Sequence, residues 1–83
     1  MSTYQVTLTV PEKVLLAEKT DVDSFGRELL LLAAVKLYEL GRLSSGRAAE
    51  LAGMTRVEFL LALGRYKVFP FADELRELAE HDA

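Results

Sequence analysis

Two helical patterns meet at Gly53 in the stretch "SSGRAAELAGMTRVEFLLALGR", residues Ser44 to Arg65. Few architectures suit such a junction. Two short helices crossing at a steep angle need small or apolar side chains in the crotch and a glycine in the turn. Ala48, Ala49 and Ala52 are small on the first helix, Gly53 supplies the turn, and Met54 can plug in behind it. Phe59, Ala62 and Leu63 then form the buried stripe of the second helix. Thr55 can cap that helix, and Glu58, three residues on, completes a capping box. The spacing predicts a helix-turn-helix over residues 45–64, with either Ser44 or Ser45 as the first cap and Gly64 as the point of release.

The rest of the chain is read around this unit. "YQVTLTV", residues 4–10, alternates: Tyr4, Val6, Leu8 and Val10 point one way, and Gln5, Thr7 and Thr9 the other, which predicts a half-buried strand. Pro11 suits the first position of a short helix over residues 11–19. A longer helix over 24–40 follows, capped by Asp23 or Ser24 and ended by Gly41 in the left-handed conformation. At helical spacing Leu29, Leu30, Ala33, Ala34, Leu37 and Leu40 share one broad arc, while Leu31, Val35 and Tyr38 fall on a further apolar side. A one-sided surface helix needs an apolar stripe only a little over 100° wide. This helix has more, so it is expected both in the core and against a partner helix. "RYKVFPF" reads as a short extended segment, and "ADELRELAEHDA" places Phe71, Leu75 and Leu78 at helical spacing opposite a run of acids. The expected fold is one mainly α-helical domain, residues 1–83: a short N-terminal strand, a long central helix, the helix-turn-helix, an extended segment and an acidic amphipathic segment over 71–82.

A chain of 83 residues buries only about 60–65% of its unfolded surface, yet 51% of these residues are hydrophobic. The surplus predicts apolar surface shared between subunits, with Leu31, Val35, Tyr38, Leu60 and Leu61 as the candidate interface of a homodimer. There is no cysteine, and the one histidine is His81, so neither a thiolate metal site nor a histidine-based triad is available. No basic start followed by an apolar core and a cleavage site opens the chain, and no apolar run approaches the roughly 18 residues of a membrane span. A soluble, cytoplasmic protein without a cofactor is expected.

Catalysis needs convergent polar groups in a desolvated setting. Asp21 with Asp23, and Glu74 with Glu77, sit in solvated-looking segments, and Ser44 and Ser45 have no base nearby. "GRLSSGR" lacks the spacing and lysine of a phosphate-binding loop. A binding protein, not an enzyme, is the expectation.

The charge distribution suggests what is bound. Residues 42–67 hold Arg42, Arg47, Arg56, Arg65 and Lys67 against Glu50 and Glu58, a balance of +3. Residues 68–83 hold Arg76 against Asp73, Glu74, Glu77, Glu80 and Asp82, a balance of −4. The basic part coincides with the helix-turn-helix, where the start of the second helix faces bases in DNA-binding versions. Arg56 can pair bidentately with a guanine, and Thr55 can take a phosphate or a base. Leu60 and Leu61 are poor base readers, so the same helix can instead be buried on two sides. A second route to DNA starts from "QVTLTV": strands of two subunits can pair and enter the major groove as a ribbon. An ordinary strand with one solvated face fits those residues too. The segment 71–82 can order on a partner groove through Phe71, Leu75 and Leu78, or pack back on its own domain.

With "TLTVPEKVL", "LAAVKLYELGRLSSGRAAELAGMTRVEFLLAL" and "YKVFPF" in view, the chain resembles a small, poorly characterised family of prokaryotic proteins discussed as antitoxins of toxin–antitoxin pairs. The resemblance spans residues 6–80. It implies a dimeric, helix-rich protein that neutralises a toxin, commonly a PIN-domain ribonuclease, and binds its own promoter. By the same resemblance Arg47, Thr55, Arg56 and Arg65, with neighbouring Lys67, are the candidate contacts to duplex DNA. Phe71, Leu75, Arg76 and Leu78 are the candidate contacts to the toxin, Arg76 acting as a cation in the nuclease's carboxylate cleft. The competing expectation is an interaction or dimerisation module that uses the helix-turn-helix shape for assembly without DNA.

Overall fold

The computed structural model describes residues 2–70, which form four α-helices and a closing 3₁₀ turn. Helix α1 spans Glu12–Glu18, α2 Val22–Glu39, α3 Ser45–Ala52 and α4 Arg56–Ala62; the 3₁₀ turn is Leu63–Tyr66. Residues 71–82, and with them the expected acidic helix, lie outside the described residues.

Helix ends follow local chemistry closely. Pro11 sits at the cap of α1, one position before the helix proper. Helix α2 begins two residues earlier than expected because Asp21, rather than Asp23 or Ser24, is its cap: Asp21 Oδ1 accepts from the Ser24 N–H at 2.8 Å. At the other end Gly41, at φ 75°, turns the chain left-handed, and the N–H groups of Gly41 and Arg42 return to the carbonyls of Tyr38 and Leu37. Ser44 caps α3 by accepting from the Arg47 N–H, which leaves Ser45 inside the helix and buried. Gly53, at φ 70°, closes α3 in the same left-handed manner, with Met54 N–H donating to the Ala49 carbonyl. Helix α4 starts on the expected capping box: Thr55 Oγ1 accepts from Glu58 N–H, and Glu58 Oε1 accepts from Thr55 N–H. Gly64 does not release it. The chain tightens into the 3₁₀ turn, and Lys67, at φ 57°, takes the left-handed position.

The core lies where α2 crosses the α3–α4 pair. Ala34, Val35 and Tyr38 of α2 meet Ala48 and Ala49 of α3, Phe59 and Leu60 of α4, and Leu63 and Val68 beyond it. Tyr38 and Phe59 touch edge to face, ring centroids 5.7 Å apart and planes at 85°. Leu31, Leu43, Ala52, Met54 and Tyr66 pack around this cluster.

Two expectations are corrected here. The broad arc of α2 is only partly buried in the protomer: Ala34 is fully buried and Leu29 and Leu37 are half-buried, but Leu30 and Leu40 are 47% and 57% exposed, and Ala33 is exposed. The inward face is Leu31, Ala34, Val35 and Tyr38, because the small crotch residues Ala48 and Ala49 leave room for a ring and a branched side chain. Three of the five residues expected in a dimer interface, Val35, Tyr38 and Leu60, therefore lie inside the protomer, and Leu31 packs against the same core. Leu61 alone of the five stays 63% exposed. Second, residues 4–10 form no strand in the single chain. A strand exists through its ladder, and no strand partner occurs among the described residues. Tyr4 and Val6 are 91% and 81% exposed as a result.

Phe59→Ala is expected to cost about 3–5 kcal/mol, much of the total stability of so small a domain, whereas Leu61→Ala should stay within about 0.5 kcal/mol. Urea unfolding followed by circular dichroism measures both.

Candidate nucleic-acid interface

Helices α3 and α4 with the Gly53 turn make the expected helix-turn-helix, and α2 braces it from behind. The candidate DNA contacts sit on it in two groups. Thr55 and Arg56 occupy the start of α4, while Arg65 and Lys67 lie past its end. A seven-residue helix is only about 10 Å long, so both groups lie within reach of one stretch of duplex. Arg47 is on the outer side of α3.

Several of these side chains have a local partner. The Thr55 hydroxyl accepts from Glu58 N–H as the cap of α4. Arg56 Nε donates to Ser45 Oγ at 2.8 Å, a partly buried bond between residues eleven apart that ties the first turn of α4 to the first turn of α3. Ser45 is almost wholly buried, and this bond gives its hydroxyl a partner there. Arg47 pairs with Glu50 at 2.8 Å, and that carboxylate holds the guanidinium charged above its ordinary pKa. Both partners are well exposed, so the pair adds little to stability and can exchange for another anion. The Arg65 guanidinium stands 5.7 Å from the Tyr66 ring centre, and Lys67 is exposed. Arg42, exposed between α2 and α3, adds a further cation.

Thr55, Glu58 and Leu61 make up the exposed side of α4. A carboxylate and a leucine, 63% exposed, thus stand where a reading helix would present donors. The structure therefore brings the cations to the two ends of α4 without building a row of base-reading side chains between them. Sequence reasoning missed the tie of Ser45 to Arg56. Its only signal was the doubled serine at 44–45, one to cap and one to accept. The candidate toxin contacts Phe71, Leu75, Arg76 and Leu78 lie outside the described residues.

The N–H and hydroxyl of Thr55 hold the Glu58 carboxyl below its ordinary pKa of 4.5, and Ser24 does the same for Asp21. A carboxyl whose folded pKa is depressed stabilises fully above its unfolded value and loses that contribution as pH falls through the folded one. Glu58→Gln should therefore flatten the loss of stability below about pH 4.5. Urea midpoints from pH 7 to 3 check this. Arg56→Ala should lower stability by about 1–3 kcal/mol even without DNA, since it strands the buried Ser45 hydroxyl. An unchanged urea midpoint would show that the Arg56 bond carries no weight in the fold.

No helix among the described residues is long and apolar enough to cross a membrane. No solved structure matches the chain. A protein of Aeropyrum pernix described as "UPF0175 protein" is 46% identical over 59 residues, covering 68% of this chain and 75% of its own length. The model of the family described as "Uncharacterised protein family (UPF0175)" matches residues 1–81. A match over nearly the whole length, the helix-turn-helix included, makes this chain a member of the UPF0175 family.

Proposed function

We propose that the protein is a homodimeric DNA-binding regulator of the antitoxin kind, which holds its own promoter through the helix-turn-helix and neutralises a partner toxin. The observation that carries the DNA half is the helix-turn-helix itself, with Arg42, Arg47, Arg65 and Lys67 all exposed on or beside it. Cations of this kind grip phosphates, position the protein on the duplex and give affinity that falls steeply with salt. Arg56 then serves to tie α4 to α3 through Ser45, and any base contact by it is secondary.

The toxin half rests on the sequence of residues 71–82. Phe71, Leu75 and Leu78 are spaced to anchor an amphipathic helix in a groove, and Arg76 offers a cation to a carboxylate-lined cleft such as that of a PIN-domain ribonuclease. One observation favours a second reading, a module for protein assembly alone: Leu61, 63% exposed, sits on the outer face of the last turn of α4.

Fluorescence anisotropy on duplex from the protein's own upstream region, beside a scrambled duplex, separates the two. Selective binding is expected, with log affinity falling linearly with log salt. In the triple variant Arg42→Ala, Arg65→Ala, Lys67→Ala the salt slope should shrink by about 1 for each phosphate that the variant no longer grips. Absence of binding to either duplex at low salt would overturn the DNA half and leave the assembly module.

A further inference from the structure

Residues 4–10 combine three features that a lone chain leaves unresolved. Their apolar positions alternate strictly, Tyr4, Val6, Leu8 and Val10, and the first three are 91%, 81% and 67% exposed. Among the described residues, no main-chain group of this segment hydrogen-bonds to another main-chain group. Val6, Leu8 and Val10 also form one wall of an open groove of about 750 Å³, whose other walls include Leu15 and the apolar α2 residues Val22, Phe25, Leu29, Leu30 and Ala33, with Asp23 and Arg27 also lining it. The groove thus joins the strand-patterned segment to the outer apolar arc of α2.

We infer that the occupant of this groove is the same segment of a second copy: residues 4–10 of two chains pair as an antiparallel ribbon whose apolar face lies over the exposed arcs of both α2 helices. Three arguments select a second copy. Unpaired N–H and C=O groups of a strand are a template for another strand, and no strand partner occurs among the described residues. A two-fold axis supplies an identical segment running the other way. Residues opposite each other in an antiparallel pair point to the same face, so pairing centred on a residue keeps apolar with apolar. Centred on Thr7, it sets Val6 against Leu8 and Tyr4 against Val10, using the whole segment. Pairing centred between residues would set every apolar side chain against a polar one.

The surface available is of the right size. Tyr4, Val6, Leu8, Val22, Leu30 and Leu40 are each between 47% and 91% exposed. At roughly 100 Å² of apolar surface per side chain they supply about 600 Å², the larger part of the ~800 Å² per partner typical of a stable interface. In the ribbon Gln5, Thr7 and Thr9 of both copies face outward. The inference rests on the homodimer of the proposed function and is independent of its DNA contact.

Sedimentation of the full chain with two variants tests it. The parent should sediment as a dimer at tens of micromolar. Leu8→Asp should weaken the dimer at least tenfold while leaving the helical circular dichroism unchanged, since Leu8 lies outside the core cluster. The chain has no cysteine, so Thr7→Cys adds a single thiol per copy. Opposed Cα atoms in an antiparallel pair are about 4.5–5.5 Å apart, within disulfide range. Mild oxidation should convert Thr7→Cys to a covalent dimer much faster than Lys13→Cys on the exposed side of α1. A parent that sediments as a monomer overturns both the ribbon and the homodimer. A dimer that survives Leu8→Asp, or a Thr7→Cys variant that links no faster than Lys13→Cys, overturns the ribbon and leaves the homodimer standing.

Discussion

The edge-to-face contact of Tyr38 and Phe59 joins the long helix to the second helix of the helix-turn-helix, and the described fold is arranged around it. Helices α3 and α4 are eight and seven residues long. Isolated helices shorter than about 12–15 residues are marginal in water, so these two persist only because they are packed. Tyr38 reaches the pair because Ala48 and Ala49 keep the near side of α3 low. Phe59 meets it because the capping box fixes where α4 begins and therefore which way the Phe59 side chain points. The caps and the aromatic contact support one another: the ring contact sits within the core that keeps the short helices formed, and the caps fix where those helices begin.

Polar side chains near the helix-turn-helix serve the same end. Ser45, Thr55, Arg56 and Glu58 each close a bond within or between α3 and α4. Groups committed to holding two helices at a fixed angle are not free to adapt to a base edge. Cations at the margin, Arg42, Arg65 and Lys67, carry no such task within the unit. In the proposed DNA-binding role, affinity would sit in the marginal cations and rigidity in the central polar groups, and selectivity would have to come from the few side chains at the start of α4 and from the shape of the duplex.

What the sequence made legible was local. Gly41 and Gly53 end helices where expected because only a residue tolerant of positive φ closes them cheaply, and the Thr55–Glu58 box is written in two residues three apart. The small residues of the turn told of the helix-turn-helix for the same reason, since close approach of two backbones is a steric demand. The failures were choices among competing faces. Helix α2 is apolar on two sides, and counting leucines favours the side with more of them. The core instead took the side that carries Tyr38, because the cavity left by two alanines rewards shape over number. Asp21 outcompeted Asp23 as the cap because it stands three residues before Ser24, whose N–H and hydroxyl it both accepts. The bond of Arg56 to Ser45 was not legible for a related reason: the arginine has a buried hydroxyl waiting eleven residues upstream, and nothing in periodicity announces it.

The face of α2 that lost this competition matters as much as the one that won. Among the described residues, the core cluster contains three alanines among its nine members, and each alanine contributes little apolar area to it. Meanwhile Leu30, Leu40, Val22 and the row from Tyr4 to Leu8 remain in solvent. Each such side chain left exposed forgoes about 1.5–3 kcal/mol of burial. If a second copy covers that face, as the inferred ribbon requires, the stability of the domain is tied to concentration. In the proposed homodimer, folding and association would draw on the same leucine-rich helix, one side for each, which would account for the concentration of hydrophobic residues there.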